Sequence, residues 1–244
     1  MVLRKLPEVL QVLKKQENVH NIVHKSTPEN AEQGNFFFGY NHPCFKFDDN
    51  IQFFFLKTNG DPSIACALAK SRVQTGFTII YSHPITMDLS DAIIGFPNLM
   101  DISRFMDTNV VTYDYNGFGI SSGNTTQENM VDGLNVLIRH LVKVRGIPMG
   151  KIVLLGYGVG ASVCSTLAKT VDNIGGLVLV AAPANLKRSK REGNHSDSNQ
   201  SFSIVKVIKQ VTCPIFLVYS HADMCVNPVH GLNTPDNCQN VIEP

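Results

Sequence analysis

The segment Leu154-Leu155-Gly156-Tyr157-Gly158-Val159-Gly160-Ala161 carries the most readable chemistry in this chain. An apolar run leads into it and a helix-forming run leads out, so its glycines stand on a strand-to-helix turn. Two chemistries use such a turn. In the pattern G-x-S-x-G, small residues two before and two after a serine let strand and helix backbones approach, and the strained serine presents its hydroxyl at the helix N-terminus. In the other, glycines open a helix whose N-terminus holds a pyrophosphate. A dinucleotide turn reads G-x-G-x-x-G and opens its fold, whereas the spacing here is Gly-x-Gly-x-Gly and two strand–helix units precede it. Both flanking glycines of the first pattern are present, as Gly156 and Gly160. Its middle residue is Gly158, which has no atom able to attack a carbonyl.

Other nucleophile types are better read as structure. Ser162 and Cys164 lie a turn or more into the helix after the glycines, and Ser121 and Ser122 sit on a Gly-rich turn where hydroxyls bond to backbone. The six cysteines (Cys44, Cys66, Cys164, Cys213, Cys225 and Cys238) form no C-x-x-C pair and no metal-ligand spacing. Several stand in apolar runs such as Ile64-Ala65-Cys66-Ala67-Leu68, where a thiol is a small buried hydrophobe. Free thiols point to a reducing compartment, the cytoplasm. No metal site and no cofactor is implied. Asn194-His195-Ser196 fits a glycosylation acceptor formally, but no secretory signal accompanies it.

The elements that must position these residues follow from hydrophobic period. Leu6, Val9, Leu10 and Leu13 recur at helical spacing, predicting a short amphipathic helix followed by a polar loop over 1–34. The domain proper is expected over 35–244. Strands are predicted at 45–47 and 51–56, and a turn at Asn59-Gly60-Asp61 into 64–69 makes an antiparallel hairpin. From there short apolar runs alternate with helical ones. The strands are 77–82, 109–115, 151–157, 177–182 and 213–220. The helices are 90–106 (interrupted by Gly95 and Pro97), 126–145, 159–171 and 202–210. That alternation predicts an α/β fold, a mostly parallel sheet with helices on both faces.

A length of 244 residues suits one such domain, and 43% hydrophobic against 17% charged residues supplies a core. The net charge of +1 excludes a nucleic-acid partner as the first expectation, because phosphate binding needs a concentrated basic surface. Lys187, Arg188, Lys190 and Arg191 gather in a polar stretch that reads as a solvated loop, with contact to anionic lipid as the lesser alternative. Residues 1–16 lack the unbroken apolar run of a signal peptide, and no stretch reaches the ~20 apolar residues of a membrane span.

The order of motifs resembles the depalmitoylase-like branch of the α/β-hydrolase-domain proteins. Asp114-Tyr115-Asn116-Gly117-Phe118-Gly119-Ile120-Ser121-Ser122-Gly123 is similar to D-Y-x-G-[YF]-G-x-S-x-G. Ser82-His83 with Asp88-Leu89 resembles S-H-G-N-A-x-D-L, and Ile208 to Ile215 resembles K-x-V-x-x-P-V. Ser220-His221-Ala222-Asp223-Met224-Cys225-Val226 resembles G-T-E-D-E-V, with His230-Gly231 as the H-G that starts the next helix. The resemblance covers roughly 55–232 and implies an α/β-hydrolase fold, a serine nucleophile at Gly158, an acid at Asp223, and an oxyanion loop around His83, Pro84, Tyr157 and Val159. It also implies acylated proteins as substrates or partners and a peripheral place at the cytoplasmic face of membranes. Relatives of this kind begin with a cysteine cluster, and Met1 to Pro7 contains none.

Three departures from the pattern predict lost hydrolysis. The nucleophile is a glycine. The base histidine, expected beyond one more helix and strand, is not reached before Pro244, and neither His221 nor His230 stands in its place. The oxyanion segment reads His83-Pro84-Ile85-Thr86-Met87-Asp88, where Pro84 has no N–H to offer a developing oxyanion. A fold truncated at its C-terminal end would leave strand 213–220 as an open edge, inviting a protein that covers it. The reading is therefore a noncatalytic relative of serine hydrolases that remove palmitate. The alternatives are an active thioester hydrolase, and a truncated product with no role of its own.

Overall fold

The computed structural model describes residues 50–58, 62–73, 76–95, 97–183, 204–220, 223 and 240–241. The expected helix near 6–13, the strand at 45–47, the turn at 59–61, the basic loop 187–201, His221 and His230 lie outside them.

Strands β1 (Ile51–Lys57) and β2 (Ser63–Ala69) pair antiparallel, as the hairpin reading requires. Five more follow: β3 (Thr78–Ser82), β4 (Asn109–Tyr113), β5 (Ile152–Tyr157), β6 (Gly176–Val180) and β7 (Ile215–Val218). They join one seven-stranded sheet in the order β1-β2-β4-β3-β5-β6-β7, and every pairing from β4 to β7 is parallel. The stretch predicted as one interrupted helix over 90–106 is two, α1 (Leu89–Ile94) and α2 (Leu99–Phe105). The break has a local cause. Gly95 ends α1 by donating to the Asp91 carbonyl, and Asn98 starts α2 with a capping box closed by Asp101. Helices α3 (Gln127–Lys143), α4 (Val159–Ala168) and α5 (Ile204–Ile208) follow, with a 3-10 turn at Met149–Lys151 leading into β5.

The sheet is clothed on both faces. On one, Leu134, Leu137, Ile138 and Leu141 of α3 are fully buried with α4 and α5 against Ile64, Ile80, Leu154 and Leu179. Each such side chain contributes ~1.5–3 kcal/mol by leaving water. On the other, Ala65, Ala67 and Ala69 of β2 lie under Leu89, Ile93 and Leu99, short side chains that let α1 and α2 come close. Alternation along β2 thus reads small on one face and large on the other, and nearly every residue is buried.

The expected open edge needs correction at its beginning. Ile215 forms a parallel bridge with Val241, its N–H donating to the Asn240 carbonyl at 2.9 Å. The Asn240 amide also donates to the Thr212 carbonyl at 2.7 Å. The start of β7 is covered by this chain itself, through a contact between residues distant in sequence.

Candidate functional site

In the sheet order β3 and β5 are neighbours, yet their connections leave in opposite directions, to β4 on one side and β6 on the other. The carboxyl ends of two such strands bound a crevice, the usual ligand position in open α/β sheets. The turn after β5 and the loop after β3 meet there.

Gly158 is the residue between β5 and α4, with φ 57° and ψ −117°. That conformation belongs to the sparsely populated positive-φ region, which glycine tolerates and a residue with Cβ resists. Its N–H donates to the Val180 carbonyl at 3.0 Å, fixing the turn to β6, and its carbonyl accepts from Ala161 at 3.1 Å. The flanking glycines are sterically compelled. A Cβ on Gly156 would collide with the backbone of Gly160 and Ala161, and one on Gly160 with the carbonyl of Ser82. A Cβ on Gly158 meets only Pro84, at 3.4 Å. The turn therefore keeps the strand–helix approach of a nucleophile elbow while the position at its tip is bare.

Pro84 sits against that tip. Its carbonyl accepts from the Met87 N–H at 3.1 Å, closing a turn at the start of the loop. Tyr157 and Val159 flank the tip, Tyr157 40% exposed and Val159 buried as the first residue of α4. His83 contributes backbone to this loop, but its ring is fully buried and turned inward. Nδ1 contacts the Pro84 carbonyl at 2.9 Å. Nε2 stands 3.5 Å from Asp114 Oδ1, a distance and alignment that make an electrostatic contact rather than a formed hydrogen bond. Asp223 lies just past β7, its N–H donating to the Ser220 carbonyl at 3.2 Å. The structure thus brings His83, Pro84, Tyr157, Gly158 and Val159 together and places Asp223 on the loop after β7.

Two residues quoted from the motif carry roles that spacing does not reveal. The Asp114 carboxylate accepts from the Leu89 N–H at 2.6 Å, tying the end of β4 to the start of α1. Burial is the main cause that pushes its pKa up, with Asp88 adding to the rise, while His83 and the Leu89 N–H pull it down. Tyr115 donates its hydroxyl to the His83 carbonyl at 2.6 Å. Beneath them Ser82 Oγ lies 3.1 Å from the Tyr113 hydroxyl and accepts from the Cys164 thiol at 3.3 Å. Burial pushes that thiol up to about 12, so it is protonated and inert. The turn serines behave as expected of turn hydroxyls: Ser121 Oγ accepts from the Ala65 N–H and Ser122 Oγ from the Ser63 N–H, both at 2.8 Å. Among the described residues no group of histidine, cysteine and carboxylate side chains is placed to hold a metal ion. No helix there is long and apolar enough to cross a membrane.

Comparison with known proteins agrees with this geometry. The family described as Chlamydia CHLPS protein (DUF818) matches residues 82–177, from the end of β3 into β6. Mouse alpha/beta hydrolase domain-containing protein 17C is 21% identical over 196 residues, covering 80% of this chain and 60% of the relative. The Caenorhabditis elegans protein aho-3 is 25% identical over 182 residues, covering 74% and 54%. The chain thus spans only about three-fifths of the length of the first of these relatives. Among solved structures, the Pyrococcus furiosus esterase Pf2001 aligns with a TM-score of 0.63 at 15% identity, covering 78% of this chain and 79% of that one. A Coxiella burnetii alpha-beta serine hydrolase homologue aligns with a TM-score of 0.60 at 15% identity, covering 81% and 86%. With its elbow, strand order and motif order, the chain has the α/β-hydrolase fold and is similar in sequence to the alpha/beta hydrolase domain-containing proteins 17B and 17C.

Proposed function

We propose that this chain is a noncatalytic α/β-hydrolase, related to serine hydrolases that remove palmitate from proteins, and that it acts by binding acylated proteins. One observation carries the reading: the elbow keeps its backbone at φ 57°, ψ −117° while the residue at its tip is Gly158. Acyl transfer needs a nucleophile with a base in reach. Of the two described histidines, His83 is buried against Asp114 and His140 stacks on Phe54 near the end of α3. The Cys164 thiol is buried and protonated, and the Ser162 hydroxyl is buried as well. Asp223 is then a residual acid position, and Pro84 stands against a turn whose tip carries no reacting group. The unit that does this is 35–244, placed peripherally at the cytoplasmic face of membranes.

The test is direct. The purified chain is incubated with a fluorophosphonate probe and a short-chain thioester, and separately titrated with a palmitoylated peptide and its unmodified twin. No labelling, no turnover above buffer and preference for the acylated peptide are expected. Stoichiometric labelling mapped to any serine refutes the reading.

A further inference from the structure

Of the eight large apolar side chains exposed among the described residues, Val144 caps the end of α3 and the other seven separate to the two ends of the sheet. Ile85, Tyr157 and Val218 stand at the carboxyl ends of β3, β5 and β7, around the elbow. The rest stand at the opposite end. There Val73 is 55% exposed after β2, Phe77 44% before β3, and Phe105 and Met106 87% and 51% before β4. They form one patch, because β2, β4 and β3 are consecutive neighbours and span only about 10 Å. Side chains bind the patch together. The Ser71 N–H donates to Asn109 Oδ1 at 3.0 Å, and the Thr108 hydroxyl donates to the Phe77 carbonyl at 2.7 Å.

Cations are interleaved with these apolar tips. Lys70 and Arg72 are exposed beside Val73, and Arg104 is exposed beside Phe105. Lys151, just before β5, holds its Nζ 4.4 Å over the Phe77 ring. The exposed acid within the same stretches is Asp107. A chain of net charge +1 therefore carries a local excess of positive charge where the most exposed of its described phenylalanines protrudes. Protein interfaces deplete lysine at their centres. Separate apolar tips ringed by lysine and arginine instead suit a bilayer, with carbon at the acyl boundary and cations among anionic headgroups.

We propose that this end of the sheet docks on an anionic lipid bilayer. Phe105, Met106, Phe77 and Val73 enter the headgroup region, while Lys70, Arg72 and Lys151 face lipid phosphates. The proposal rests on the peripheral placement given above and is independent of the loss of catalysis. The five-residue β3 puts about 16 Å between this surface and the elbow, so the docked protein holds its elbow away from the membrane.

The experiment is sedimentation of the full chain with phosphatidylcholine vesicles, with and without phosphatidylserine, at low and physiological salt. Partition to the anionic vesicles, weakened by salt, is expected. Phe105→Ser lowers it on the order of tenfold, and Lys70→Gln with Arg72→Gln by tenfold or more, with urea midpoints unchanged. Binding indifferent to both variants overturns the surface while leaving peripheral placement standing, and no binding overturns both. A lipid-free dimer abolished by Phe105→Ser overturns the proposal in favour of self-association. Labelling by a serine probe bears on the catalytic reading alone.

Discussion

The Tyr115 hydroxyl donates to the His83 carbonyl at 2.6 Å while its ring lies against the His83 imidazole, centroids 4.5 Å apart. One residue thus fixes the backbone immediately before Pro84, and through it the residue that sits on the elbow tip. Tyr115→Phe keeps the ring and strands the buried carbonyl, which costs ~1–3 kcal/mol. The urea midpoint should fall accordingly with an unchanged m-value. An equal midpoint would mean that the loop holds itself.

Gly158→Ser should destabilise the domain by roughly 1–2 kcal/mol. Strain of ~1–3 kcal/mol at this φ/ψ opposes the ~0.4–1 kcal/mol that serine gains by restricting the unfolded chain. The added Cβ would also stand 3.4 Å from Pro84. The same variant should show no thioester turnover, because triad members act as a unit. Parallel urea titration and a turnover assay check both halves.

Gly160→Ala should be worse than Gly158→Ser. Its Cβ would overlap the Ser82 carbonyl, which is backbone and cannot swing aside. A loss of about 3 kcal/mol or more is expected, at the upper end for overpacking. Soluble yield and urea midpoint measure it, and a midpoint equal to wild type would show that α4 can slide.

Much of this architecture was legible in sequence. Hairpin signals located β1 and β2, the alternation of apolar runs with helical ones located β3 to β7, and the glycines at 156, 158 and 160 located the elbow. Other features depended on contacts that no local window contains. Gly95 and Pro97 marked an interruption, but the capping boxes of Asp88 and Asn98 that make two helices are side-chain geometry. Asp114 and Tyr115 were visible as a motif, yet their roles arise only when β4 lies beside β3. The cover over β7 joins Ile215 to Val241 and carries no periodic signal.

The pH response should report Asp114. Its folded pKa is raised by burial, so folding favours the protonated carboxyl. Stability from this group is present below the ordinary value of about 3.9 and is lost as pH rises through the raised folded value. Asp114→Asn keeps an oxygen for the Leu89 N–H and removes the charge. The variant should therefore gain on wild type as pH climbs from ~4 toward neutrality, read as the difference in urea midpoints across that window. A difference that stays flat or shrinks would place the cost elsewhere.

The collisions that await a Cβ at Gly156 and Gly160, and the ordinary contact that awaits one at Gly158, divide the elbow motif by physical origin. Its outer letters are written by steric exclusion between a strand and a helix, and its middle letter by reactivity. A protein can shed the second without disturbing the first. Pattern searches that weigh all three letters alike therefore add a measure of how closely two backbones pack to a measure of chemistry.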